Sequence, residues 1–161
     1  MIRIARSADL DLIVPLGAAR RAEYEGYQPQ FWRAAASAER VHRDFLAALI
    51  DDEGWGSFVS EPFTGYVFAR LVPAPPVYDP GGPSCFVDDF AVTSPELWLT
   101  EGRALLDAAA RWGAARGAAQ LVVVNGERDQ PKAGLLAALG LSIASTWSVA
   151  SLPRIPEAGE G

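Results

Sequence analysis

Asp88 and Asp89 stand side by side inside the apolar run Cys85-Phe-Val-Asp-Asp-Phe-Ala-Val92. Successive side chains of a strand point to opposite faces, so the two carboxyls look in opposite directions. Burying both is costly, and at least one is expected in a cleft or an ion pair. Burial raises a carboxyl's pKa and makes it a better general base. The plain alternative is that both pair with arginines or close the loop before the strand. Cys85 has no histidine near it in sequence and reads as a small buried hydrophobe. His42, the single histidine, lies among Val41, Arg43 and Phe45 and reads as solvent-facing or structurally satisfied. Tyr24, Tyr27 and Trp32 offer an aromatic wall for a cation or an apolar group, or ordinary packing. Tyr78 sits in a proline-rich loop. One cysteine and one histidine make no zinc pattern, so no metal site is expected.

These groups need a scaffold. The chain has 161 residues, half of them apolar, which suits one domain over 1–152 with a flexible tail at 153–161. The formal charge is −6. That argues against nucleic acid, which needs a basic face, and is compatible with a cationic substrate such as an amine. The single cysteine rules out an intramolecular disulfide, and Met1–Ser7 lacks a signal peptide's apolar stretch, so a cytoplasmic protein is expected. Ala133–Pro153 carries no charge and is long enough for a membrane span. Its two glycines, four serines and mid-segment change of period favour a short helix and a strand instead, with no membrane partner.

The elements follow from periodicity. Ile2 and Ile4 mark a first strand. Ser7 caps a helix with Leu10, Ile13, Val14 and Leu16 on its apolar face, and Pro15 should kink or break it. A loop or broken helix is expected over Tyr24–Gln30. Ser37 opens a second helix to about Asp51, with Val41, Phe45, Leu49 and Ile50 inward. Gly56–Ser60 and Gly65–Leu71 form a hairpin. Residues 73–83 hold five of the twelve prolines and make a loop. After the Cys85–Val92 strand comes the longest helix, from Trp98 or Leu99 to about Gly117, with Leu105, Leu106, Ala109, Trp112 and Gly113 on one stripe. Gly113 would let the sheet approach closely. Leu121–Val124 reads as a strand buried on both faces. Pro131 opens a helix over Lys132–Leu139, and Leu141–Val149 alternates as a last strand. The order is β-α-α-β-β-β-α-β-α-β.

That order, with Asp89-Phe-Ala-Val-Thr-Ser-Pro-Glu96 leading into Gly102-Arg-Ala-Leu-Leu106, Arg111–Gly117 and Leu136-Ala-Ala-Leu-Gly-Leu141, resembles the GNAT superfamily of acyl-CoA-dependent N-acyltransferases. The resemblance spans Ile2 to about Ser151. It implies an α/β fold with a mixed, mostly antiparallel central sheet flanked by helices. It implies acetyl-CoA as co-substrate and a small-molecule or peptide amine as acceptor, with a homodimer as a further expectation. In the family the strand matched by Phe90, Ala91 and Val92 offers its backbone to the thioester and pantetheine, and Asp89 falls where some members place an acidic base. The pyrophosphate loop maps onto Trp98, Leu99, Thr100, Glu101, Gly102 and Arg103. Of its motif positions Leu97, Thr100 and Gly102, only the last keeps the family's residue. Ser94-Pro95-Glu96 is itself a good helix start, and on that reading Gly102 is a packing glycine. The family's tyrosine acid is matched by Leu136 and its asparagine by Asp129. The resemblance implies an N-acetyltransferase working by direct attack. The alternative is a non-catalytic acyl-CoA-binding or protein-interaction module.

Overall fold

A computed structural model describes residues 1–153, and the expected tail beyond Pro153 lies outside the described residues. Strands β1 (Ile2–Ile4), β2 (Trp55–Ser60), β3 (Gly65–Val72), β4 (Ser84–Val92) and β5 (Gln120–Val123) form one sheet in that order. The first four pair antiparallel, and β5 lies parallel to β4. Helices α1 (Leu10–Tyr27), α2 (Ala38–Ile50), α3 (Arg103–Ala114) and α4 (Gln130–Ala138) flank it. This is the mixed, mostly antiparallel architecture expected.

Alternation along the strands divides the apolar residues between two cores. Val67, Cys85, Val87, Phe90 and Val92 face α3 and α4, where Leu105, Leu106, Ala109 and Leu135 meet them. Val59, Tyr66, Phe68 and Ala91 face α1 and α2, against Leu10, Ile13, Leu46 and Leu49. A parallel pair needs a crossover, and α3 supplies it. The helix rests on β4 at Gly113, where an added Cβ would lie 2.6 Å from the Cβ of Cys85 and 2.7 Å from its Sγ. Gly113→Ala should therefore cost about 1–3 kcal/mol of stability, read as a lower denaturant midpoint. An unchanged midpoint would mean that α3 stands further from β4.

Several expectations need correction. Ser7 does not cap α1 but begins the 3₁₀ turn before it, and Pro15 does not break the helix, which runs unbroken to Tyr27, so that Tyr24–Tyr27 is helical and not the expected loop or broken helix. Pro15 sits near the helix start, where the one freed carbonyl belongs to solvent-exposed Asp11. The buried face of α2 is turned: Val41 and Phe45 are 52% and 51% exposed, while Leu46 and Leu49 are buried. The crossover helix begins earlier, with a 3₁₀ turn at Pro95–Leu97 and a π turn at Trp98–Gly102 ahead of α3. Ser94 is extended and Pro95 takes the first helical position, as the Ser-Pro-Glu signal allows. The β5 residues after Gln120 are half-buried, because β5 is the edge of the sheet among the described residues. Leu141–Val149 forms no strand. Alternation makes a strand only where a ladder partner exists, and β5 offers four residues. The segment leaves α4 at Gly140, whose φ is +78°, and Trp147 stays 82% exposed. No described helix is long and apolar enough to cross a membrane.

Candidate active site

The register of β3 on β4 slips beside Asp88. Phe68 faces Asp89 and Ala69 faces Val87, so Asp88 is the extra residue of a bulge. Bulges bend a strand and re-aim its side chains. The ladder to β5 stops at the same level: Val87 pairs with Val123, and the Val124 amide donates to the Val87 carbonyl at 2.9 Å. Beyond that bond β5 has ended, while β4 runs on to Val92. The β5-facing edge of Phe90–Val92 joins no ladder among the described residues.

Asp89 opens this free segment. Its Oδ1 accepts from the Tyr66 hydroxyl at 2.6 Å, and its Oδ2 lies 2.6 Å from His42 Nε2. His42 Nδ1 in turn lies 3.0 Å from an Arg21 guanidinium nitrogen. A guanidinium only donates, so Nδ1 is the acceptor and Nε2 carries the hydrogen given to Asp89. Two donors thus hold the carboxylate in one orientation, and both bonds are charge-assisted. Burial, and then the Asp89 charge, push the Tyr66 hydroxyl well above its ordinary pKa, so it remains a donor. The Asp89 side chain is 28% exposed and remains reachable. Asp88 lies outward on the bulge. Its carboxyl is raised by desolvation first and by Asp89 second, with Arg70 opposing.

Sequence reasoning set His42 aside and missed Tyr66 and Arg21. The available signal was spacing: His42, Leu46 and Leu49 fall at i, i+4 and i+7 on one face of α2. Tyr66 needed the β3–β4 register, which sequence alone does not give.

A second polar group ties α1 to the turn between β5 and α4. Asp129 is fully buried and pairs with Arg20, accepts from the Tyr24 hydroxyl at 2.8 Å, and caps α4 through the Lys132 amide. Arg20 also pairs with Glu23. Burial is the main reason that the Tyr24 hydroxyl is raised above its ordinary pKa. Tyr24 also packs on Tyr27 and, edge-on, on Trp32, so the three aromatics singled out in the sequence meet.

Trp98 is buried with its ring edge-on to Phe90 at 4.9 Å. A Cβ on Gly102 would lie 2.9 Å from that indole and 3.3 Å from Leu135. Leu99, Thr100 and Arg103 are exposed, and Glu101 is half-buried. Ala91 packs on the opposite face of the sheet from Phe90 and Val92. Cys85 is buried, its thiol donates to the Ala109 carbonyl, and burial raises its pKa. Leu136 packs against the α3-side core. Tyr78 lies on an open groove of about 560 Å³ with Phe86 and Val122.

Among the described residues three buried polar side-chain atoms lack any partner: the Ser57 hydroxyl, the Asn125 side-chain oxygen and one Arg21 guanidinium nitrogen. Asn125 follows Val124, the last residue of β5's side bonded to β4. An orphan acceptor there, opposite an unpaired strand edge, fits a ligand arm carrying amide groups, as pantetheine does. In the segment Leu97–Arg103, to which the resemblance assigns the pyrophosphate, Arg103 is the only cation.

No protein-family model matches the chain, and no curated protein matches it. Solved structures do. A tetramutant of the Bacillus halodurans protein BH1408 superposes with a TM-score of 0.79 at 16% identity, covering 94% of this chain and 99% of that one. A GCN5-related N-acetyltransferase from Ralstonia eutropha gives 0.63 at 23% identity, covering 99% of both chains. A ribosomal-protein-alanine N-acetyltransferase from Brucella melitensis biovar Abortus gives 0.60 at 18%, covering 96% and 99%. Likeness at this identity speaks to architecture alone. The mostly antiparallel five-stranded sheet, its one parallel pair and the flanking helices agree with that likeness: the chain has the GNAT fold.

Proposed function

We propose that the chain is an N-acetyltransferase that passes an acetyl group from acetyl-CoA to an amine by direct attack. The observation that carries this is the free edge of Phe90–Val92 beginning at Asp89, a carboxylate held by two donors. Acetyl-CoA, when bound, supplies the acyl group as a thioester. The Phe90–Val92 backbone and the Asn125 side-chain oxygen would hold its pantetheine arm, and Arg103 would meet its phosphates. Asp89 binds the acceptor's ammonium and takes its proton at a carboxylate oxygen. Tyr66 and His42 keep that oxygen aimed, and Arg21 keeps His42 in the donating tautomer. Cys85 offers no covalent route, since its thiol is buried and its pKa raised. The net charge of −6 favours a cationic acceptor.

A second reading, a binding module without turnover, is favoured by Leu136 in place of a hydroxyl acid and by the Arg20–Asp129–Tyr24 tie beside the opening. One experiment separates the two. Acetyl-CoA is titrated while tryptophan fluorescence is followed, Trp98 being the reporter on Phe90. Thiol release is then assayed across a panel of amines. Saturable binding with amine-dependent release is expected. Binding without release on any amine would favour the module, and absence of binding would end both readings.

A further inference from the structure

Lys132 is the only lysine in the chain, which uses arginine at its thirteen other basic positions. It is 3% exposed. Its Nζ lies 5.3 Å from the centre of the Phe90 ring and 5.7 Å from Trp98, and it joins no ion pair among the described residues. A structural cation over two rings is served at least as well by arginine, which stacks flat and holds its charge. Lysine differs in one respect: its proton can leave.

The position is suited to that. Lys132 lies on α4 one turn before Leu136 and on the same helix face. Its ammonium rests on Phe90, the first residue of the free β4 edge. Leu136 has no proton to give. Resting on the acyl-transfer reading, we propose that Lys132 donates the proton that the departing thiolate requires.

The step balances. As the C–N bond forms and the C–S bond breaks, the electron pair of the latter goes to sulfur. Lys132 gives one Nζ proton to that sulfur, leaving a thiol and a neutral amine. Of the two protons that the ammonium loses on becoming an amide, one passes from Asp89 through solvent to recharge Lys132 and the other is released to solvent, so the chain ends as it began.

The electrostatics agree. Burial is the largest influence and pushes the Lys132 pKa down to about 8; Arg20 acts in the same direction, while Asp129, Asp89 and Asp88 pull upward. A cysteine thiol titrates at about 8.5, and an ammonium held near 8 is a strong enough acid to protonate a thiolate of that kind, which favours proton transfer.

The test follows the thiol itself. Free CoA is bound to the protein, and its thiolate ultraviolet absorbance is titrated against pH. On the wild type, the bound thiol should ionise at least roughly tenfold more readily than CoA in solution, since an ammonium beside it favours the anion. Lys132→Met should abolish that shift. Lys132→Arg should keep it, because charge remains, yet lose roughly tenfold or more in amine-dependent thiol release, because the guanidinium does not give up its proton. A wild-type thiol that titrates as in solution would overturn the inference without reference to any variant. So would equal titration in the wild type and Lys132→Met. CoA binding in either of those cases leaves the acyl-CoA reading standing, whereas failure of CoA to bind overturns both.

Discussion

Asp89→Asn is expected to lower amine-dependent thiol release by roughly 10²–10⁴-fold, the span typical for loss of a positioned general base. Acetyl-CoA binding should be unchanged, because the free β4 edge offers backbone groups and the Asp89 side chain points to the other side, toward Tyr66 and His42. The substitution keeps shape and removes charge. An asparagine oxygen still accepts one of the two hydrogen bonds, but its amide nitrogen then opposes the second donor. Tyr66→Phe and His42→Leu provide the graded comparison. Each removes one hydrogen bond to the carboxylate, so each should lower turnover less than loss of the carboxylate itself. Steady-state rates against fluorescence titrations of acetyl-CoA check the split. Retained turnover in Asp89→Asn would remove Asp89 from the chemistry and leave the cluster a structural one.

The scaffold was more legible than the site, and the reason is range. The β2–β3 hairpin, the β4 run and the close approach at Gly113 are written in local periodicity and in single small residues. The cluster at Asp89 is written nowhere locally. His42 lies 47 positions away and Tyr66 lies 23 away, on elements whose mutual rotation is set by packing. Val41 and Phe45 drew attention as the large apolar residues of α2, yet the inward face is His42, Leu46 and Leu49. The bulge at Asp88 was equally hidden. Two adjacent acids in a strand are compatible with strict alternation, and only the β3 register shows that one of them is extra. At Ser94–Gly102 the sequence held two signals at once, a helix start and a degraded loop. The backbone turned helical at Pro95, with Trp98 large enough to fill the space under the π turn. Leu141–Val149 shows the limit of pattern reading, since alternation states what a strand would look like and is silent on whether an edge is there to receive it.

Asp129→Ala is expected to destabilise the protein by roughly 3–5 kcal/mol, the range for removing one partner of a buried ion pair. The cost does not come from the lost attraction alone. Arg20 keeps its charge in a side chain that is only 16% exposed, with the half-exposed Glu23 as its remaining partner, and the Tyr24 hydroxyl loses its acceptor. The cap on α4 goes too, which by itself costs about 1 kcal/mol. Lys132 loses the largest of the influences holding its proton on, so its pKa should fall further below about 8. Asp129→Asn keeps an acceptor for Tyr24 and for the Lys132 amide but not the charge, and should cost less. Adding Arg20→Met tests the cause. If the penalty is an uncompensated guanidinium, Arg20→Met should be far less harmful in the Asp129→Ala background than in the wild type, and denaturant unfolding of the four proteins gives the coupling. Additive costs would mean that Arg20 and Asp129 act separately, with Asp129 serving chiefly as the cap of α4. A large coupling would instead identify the tie between α1 and the β5–α4 turn as one electrostatic unit, holding Lys132 against Phe90 at the free edge of β4.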